Sequence, residues 1–175
     1  MTEGYQKAML STDAKFIVYL HQDVFILEKD FLKNTIDIFN NDDSVGMIGM
    51  VGTEKLPETA IMLQTKERVG LLRSPIIETV DDYFDKKMQK PYTEVEAVDG
   101  LLIMTNRHDA NWRTDLFDGW DFYDISQSTE YRKKGYKVVV PYQEKLWVLH
   151  DCGFLNMTDY EKYRQIYINE YLTKA

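Results

Sequence analysis

The sequence holds a single cysteine, Cys152, in 175 residues. One thiol closes no internal disulfide and builds no cysteine-based zinc cluster, so a reducing compartment suits the chain. No stretch approaches the ~18 apolar residues that a membrane-spanning helix needs. The N-terminal segment MTEGYQKAML carries an acid and no long apolar run, and it does not read as a signal peptide. A cytoplasmic protein is the expectation. Positive charge is scarce: 21 lysines and arginines face 29 acids, for a formal net charge of −8. Such a chain lacks the basic footprint that nucleic acid or an anionic membrane requires. An anionic diphosphate is not excluded, because a divalent metal held on carboxylates can meet it. There is no glycine-rich phosphate loop, no Gly-x-Ser-x-Gly and no His-Glu-x-x-His. Repeats, low-complexity tracts and linkers are also missing.

What is present is the composition of a globular protein, 44% hydrophobic and 29% charged. The length suits one domain, residues 1–175, burying roughly 70% of the unfolded chain's surface. Aromatics are plentiful, with 12 tyrosines. Such a surplus can line a sugar site, although it fills cores more often.

The pattern predicts a short helix over 2–11 and a buried strand over 15–20 (KFIVYL). Asp30 reads as the N-cap of a helix over 31–40 with Phe31, Leu32, Ile36 and Phe39 on one face. A second buried strand follows at 45–51 (VGMIGMV). Strand, helix, strand predicts a βαβ unit and an α/β fold with a parallel component. Residues 53–93, punctuated by Pro57, Pro75 and Pro91, read as loop with short helix. Strand character returns at 94–105. A helix over 125–134 should stop at Gly135, with strands at 137–140 and 146–149. Thr158 and Glu161 form a capping-box pattern that opens a last helix to about 172. Tyr160, Tyr163, Tyr167 and Tyr171 recur there at helical spacing and read as a docking face.

Four constellations could carry chemistry. Asp23 follows an apolar strand in LHQDV; it either holds Mn²⁺ or Mg²⁺ through oxygen or caps a turn. The loop WRTDLFDGWDFY, followed by Asp124, crowds acids and aromatics before a helix. Its acids are helix caps or a general base for a sugar hydroxyl. Trp120 there is a core residue or a sugar-stacking platform. His150 and Asp151 end a strand, where a histidine is a metal or phosphate contact or merely structural. Asp99-Gly100 interrupts an apolar run, either as a bulge or to allow close backbone approach. Asp23, His150 and Asp151 share the strand ends at which open α/β sheets bind ligands. Cys152 reads as inert, and Asp42-Asp43 and Asp81-Asp82 as solvated turns.

The order KFIVYLHQDV, VGMIGMVG, VDGLLIMT, GWDFYDISQSTEYRKKGYKVVVP, WVLHDCG resembles the bacterial glycosyltransferase-like families related to glycosyltransferase family 2. The likeness covers nearly the whole chain. It implies a GT-A-like mixed sheet flanked by helices. The implied activity is a metal-dependent, inverting, hexosyltransferase-type transfer from a nucleotide-sugar donor to a glycan or lipid-linked acceptor. His21-Gln22-Asp23 occupies the place of the family's Asp-x-Asp motif, with His21 for the first acid and Asp23 as the metal ligand. His150 matches a late histidine that contacts metal or diphosphate. Asp124 matches the catalytic base, with Tyr123 where a Glu is usual and Asp121 as the alternative base. His21, Gln22, Asp99, Gly100 and Trp120 would line donor and acceptor.

The helix MTEGYQKAML resembles the element just before the family's metal strand, so the nucleotide-base-binding strands are expected to be missing. The KFIVYL strand would then have an unpaired edge, a pairing hazard covered by a displaced helix or, more simply, in a homodimer. Two further readings stand beside the transferase. One is a non-catalytic binding module of the same fold. The other is a nucleotidyltransferase, which the lack of a basic, glycine-rich loop disfavours.

Overall fold

The structure of the chain is a computed structural model that describes residues 1–73, 88–106, 109–151 and 156–173. Cys152, Pro75 and the Asp81-Asp82 pair lie outside the described residues. In chain order the helices are α1 (Thr2–Leu10), α2 (Phe31–Asn41), α3 (Tyr123–Lys133) and α4 (Tyr160–Tyr167). The strands are β1 (Ile17–Leu20), β2 (Val24–Ile26), β3 (Val45–Gly49), β4 (Val51–Thr53) and β5 (Arg68–Gly70). They continue as β6 (Tyr92–Val95), β7 (Ala97–Val98), β8 (Leu102–Thr105), β9 (Lys137–Pro141) and β10 (Val148–His150).

Five strands form the main sheet in the order β1-β8-β3-β9-β6. β3 and β9 are parallel, and the other three ladders are antiparallel. β1 and β3 run in the same direction, because both are antiparallel to β8. The expected strand-helix-strand unit is therefore present, with β8 inserted between its strands. The middle of this sheet is dry: Met47, Ile48, Leu102, Ile103 and Val138 to Val140 are fully buried. Each such side chain contributes roughly 1.5–3 kcal/mol of hydrophobic stabilisation.

Two expected strands are divided. The run at 45–51 bends at Met50 and changes sheets, since β4 pairs with β5 and β7 in a separate three-stranded sheet. The run at 94–105 is divided into three strands, with β6 on β9, β7 on β4 and β8 on β1 and β3. Gly49 allows the crossing, for a side chain there would lie 2.4 Å from Val98 Cβ. Residues 53–93 add β5 and a 3₁₀ turn at Met62–Gln64.

The helices shield the sheet. α2 buries Phe31, Thr35, Ile38 and Phe39, while Leu32 is exposed and Ile36 half-buried. Its inner face is thus rotated from the expected one. Thr35 is tolerated inside because its hydroxyl donates to the Phe31 carbonyl at 2.8 Å. α3 stops as expected at Gly135, whose φ is +84°. α4 starts behind Asp159, and the expected capping box does not form. Thr158 Oγ1 donates to Asn156, and Glu161 pairs with Arg164. The tyrosine face of α4 and the π-helical turn after it does dock. Tyr163 and Tyr167 are buried, Tyr167 bonds Thr129 at 2.8 Å, and Tyr171 bonds Ser126 at 3.0 Å.

β1 has β8 as its sheet neighbour and none beyond it among the described strands. α1 packs against its face, with the Tyr5 and Tyr19 rings 4.9 Å apart.

Candidate functional site

At the end of β1 the chain turns sharply. The His21 N–H donates to the Leu101 carbonyl at 3.0 Å, extending the β1–β8 ladder by one residue. The Val24 N–H then donates to the His21 carbonyl at 3.3 Å, which folds Gln22-Asp23 into a tight reversal. β2 leaves this turn and pairs antiparallel with β10, placing His150 opposite Val24. The Asp151 N–H donates to the Asp23 carbonyl at 2.8 Å and closes the same corner. Two distant segments are thereby joined. One ligand atom from each of His21, Asp23 and His150 lies within 4.8 Å of the others. His150 Nε2 is 3.3 Å from Asp23 Oδ1. Gln22, between them in sequence, faces solvent.

A second corner abuts the first. Between β7 and β8, Asp99 Oδ1 accepts the Leu101 N–H at 3.0 Å, which turns the chain at Gly100. The Gly100 N–H donates to Asp124 Oδ2 at 2.8 Å, and the Ile125 N–H to Asp124 Oδ1 at 2.8 Å. Asp124 thus sits in the first turn of α3, rather than ahead of it. Phe122 starts that helix in a left-handed conformation, φ 62°, uncommon for a bulky residue. Its ring is held against Tyr160 and Tyr167, at centroid distances of 5.1 and 5.8 Å. Trp120 is no core residue. It is 60% exposed, edge-on to His21 at 5.9 Å.

Residues 1–171 match the sequence model of the glycosyltransferase-like family. The chain belongs to that family. This glycosyltransferase-like chain also shares its fold with the mannosyltransferase PcManGT of Pyrobaculum calidifontis, solved in complex with GDP-Man and Mn²⁺. The TM-score is 0.50 at 11% identity, over 98% of this chain and 50% of that one. The chain thus spans about half the length of the solved structure. The shared architecture is the GT-A-type mixed sheet with flanking helices. No curated protein matches the sequence. Among the described residues, no helix is long and apolar enough to cross a membrane.

The donors of this glycosyltransferase-like chain fit a divalent ion. Asp23 Oδ1 is buried and makes no hydrogen bond among the described residues, although His150 Nε2 lies 3.3 Å away. Such an atom is costly unless something else coordinates it. Burial depresses the His21 pKa, an effect reinforced by His150 and partly offset by the Asp99 and Asp23 charges. The shift favours the neutral imidazole, the form that ligates metals. Asp124 moves the other way. Burial first, and the Asp99 charge second, push its pKa up to about 7 against the pull of its backbone hydrogen bonds. Asp121 is raised more mildly, by burial and by Asp159.

Sequence reasoning missed Tyr123 as a member of the site. Its hydroxyl lies 2.5 Å from His21 Nε2. A contact between residues 102 apart leaves no periodic trace. The available signal was a tyrosine set directly before the candidate base in an acid-rich loop.

Proposed function

We propose that the chain carries the metal and acceptor side of an inverting, metal-dependent glycosyl transfer from a nucleotide-sugar. The observation that carries this reading is the convergence of His21, Asp23 and His150, joined through the Tyr123 hydroxyl to the helical turn that holds Asp124, in a GT-A-type fold. His21, Asp23 and His150 would hold the ion, which would neutralise the charge growing on the departing diphosphate. Two imidazoles and one carboxylate suit Mn²⁺ better than Mg²⁺, which favours all-oxygen shells.

Asp124 is the general base in this reading. A carboxyl that titrates near 7 is matched to taking a proton at neutral pH. It accepts the proton of the acceptor hydroxyl as that oxygen bonds to the anomeric carbon. The bond from that carbon to the diphosphate breaks on the opposite face, so one displacement inverts the configuration. Asp99 keeps Asp124 basic, and Asp121 is the alternative base. Trp120 offers an exposed ring for a sugar face. Gln22, His21 and Gly100 line donor and acceptor. Glycans or lipid-linked glycans are the acceptor class, and the outer edge of β1, unpaired among the described strands, is closed in a homodimer.

The test is release of nucleoside diphosphate from labelled nucleotide-sugars with Mn²⁺, measured for the chain and for Asp124→Asn. Release that is manganese-dependent and lost in the variant supports the assignment. Equal release by the variant would remove Asp124 from the role.

A further inference from the structure

We propose that Tyr123 is a positioning residue for His21, its hydroxyl accepting the Nε2–H of the imidazole so that Nδ1 is left to the ion. This inference rests on the metal reading above. A neutral imidazole has one N–H and one lone pair, and whatever engages one nitrogen decides the task of the other. Here Nε2 is engaged, at 2.5 Å, by the hydroxyl of Tyr123. Nδ1 is then the nitrogen available for coordination. Metal-bound histidines nearly always give their second N–H to a carboxylate, a carbonyl or water, which fixes ring and tautomer. A phenol oxygen serves the same end, since a hydroxyl rotor can accept as well as donate.

Tyr123 is placed for this by its surroundings. It is 3% exposed. Its ring lies against Tyr5 and Trp112, at centroid distances of 6.0 and 6.1 Å. Gly100 makes room for the hydroxyl: a Cβ on Gly100 would lie 2.0 Å from Tyr123 Oη. Tyr123 and Asp124 are consecutive in α3, and Asp124 is tied to the Gly100 N–H. One helical turn therefore orients both the metal ligand and the base.

The experiment is calorimetric titration of Mn²⁺ into the full chain and into Tyr123→Phe, which keeps the ring and removes the oxygen. Near-ultraviolet circular dichroism checks that the aromatic packing is retained. The expected result is an affinity about 10–100-fold weaker in the variant. A second readout uses the unaltered chain loaded with Zn²⁺ and labelled with ¹⁵N. His21 should show the metal on Nδ1 and a proton on Nε2. Equal Mn²⁺ affinity in the folded variant, or zinc on Nε2, would overturn the inference. Absence of Mn²⁺ binding by the unaltered chain would instead overturn the metal reading, and this inference with it.

Discussion

Two carboxylates at opposite ends of the main sheet meet opposite fates. Asp42, just before β3, is saturated. It accepts the N–H and hydroxyl of Ser44, the hydroxyl of Tyr92 and the ammonium of Lys137. These donors, the Ser44 and Tyr92 hydroxyls foremost, hold its pKa well below the usual carboxylate range. Asp23, just after β1, has a buried oxygen with no hydrogen bond among the described residues and only His150 Nε2 at 3.3 Å, and Asp124 is pushed toward neutrality. A groove of about 1110 Å³ opens beside the saturated end, lined by Asn34, Asn41, Asp42, Tyr92 and Tyr142. Converging ligand atoms of His21, Asp23 and His150 mark the candidate site, and the volume of a groove does not. A buried carboxylate oxygen without a hydrogen bond is costly, and a bound cation would offset that cost.

The sharpest way to break the contrast is Asp124→Asn. Loss of a general base should slow nucleoside diphosphate release about 10²–10⁴-fold, while donor binding, read by calorimetry, persists. Next, Asp23→Ala should weaken Mn²⁺ by more than the ~10–100-fold typical of an outer partner. Asp42→Ala should leave Mn²⁺ affinity unchanged and cost about 1–2 kcal/mol in denaturant melts, the patch being partly solvated.

The pH dependence should separate the two ends as well. The Asp42 pKa is lowered on folding, so its contribution is present above the unfolded value, near 3.8, and lost as pH falls below it. The Asp124 pKa is raised, so the folded state keeps a proton that the unfolded chain has released. Its effect on stability therefore declines as pH rises from about 3.8 to about 7. Transfer should increase over the upper part of that window, as the base ionises. A pH–rate profile flat through 7 would contradict the role of Asp124.

Two glycines test the packing behind the candidate site. Gly100→Ala forces a methyl onto Tyr123 and should cost about 1–3 kcal/mol and weaken Mn²⁺ binding. Gly135→Ala meets nothing within 4 Å, but its positive φ should cost about 1 kcal/mol with metal affinity unaffected. If both variants bound the ion equally, the link from Gly100 through Tyr123 to His21 would be cut.

Local pattern made much of this legible. KFIVYL and KVVV are apolar runs between turn signals, and they are β1 and β9. Gly135 gave the stop of α3, and the strand-end location of Asp23 and His150 gave the corner where they meet. Features that depend on tertiary placement did not show. A run such as VGMIGMV reads as one strand because periodicity cannot see that the ladder on either side of Met50 belongs to a different sheet. The same holds for 94–105, where Glu96 and Asp99-Gly100 divide three strands. The capping-box pattern at Thr158 failed because Asn156 and Arg164 offered the same side chains other partners. The core reading of Trp120 fails, and the burial of Tyr123 did not show in the loop's sequence. Their difference is burial, 60% against 3% exposed, and Tyr123 is enclosed by Tyr5 of α1 and Gly100 from outside the loop and by Trp112 at its start.

The most direct measurement is calorimetry of UDP- and GDP-sugars with the full chain, with and without Mn²⁺, alongside Asp23→Ala. The account predicts donor binding that needs Mn²⁺ and disappears in the variant. Donor binding of equal strength without the metal, or undiminished in Asp23→Ala, would contradict it.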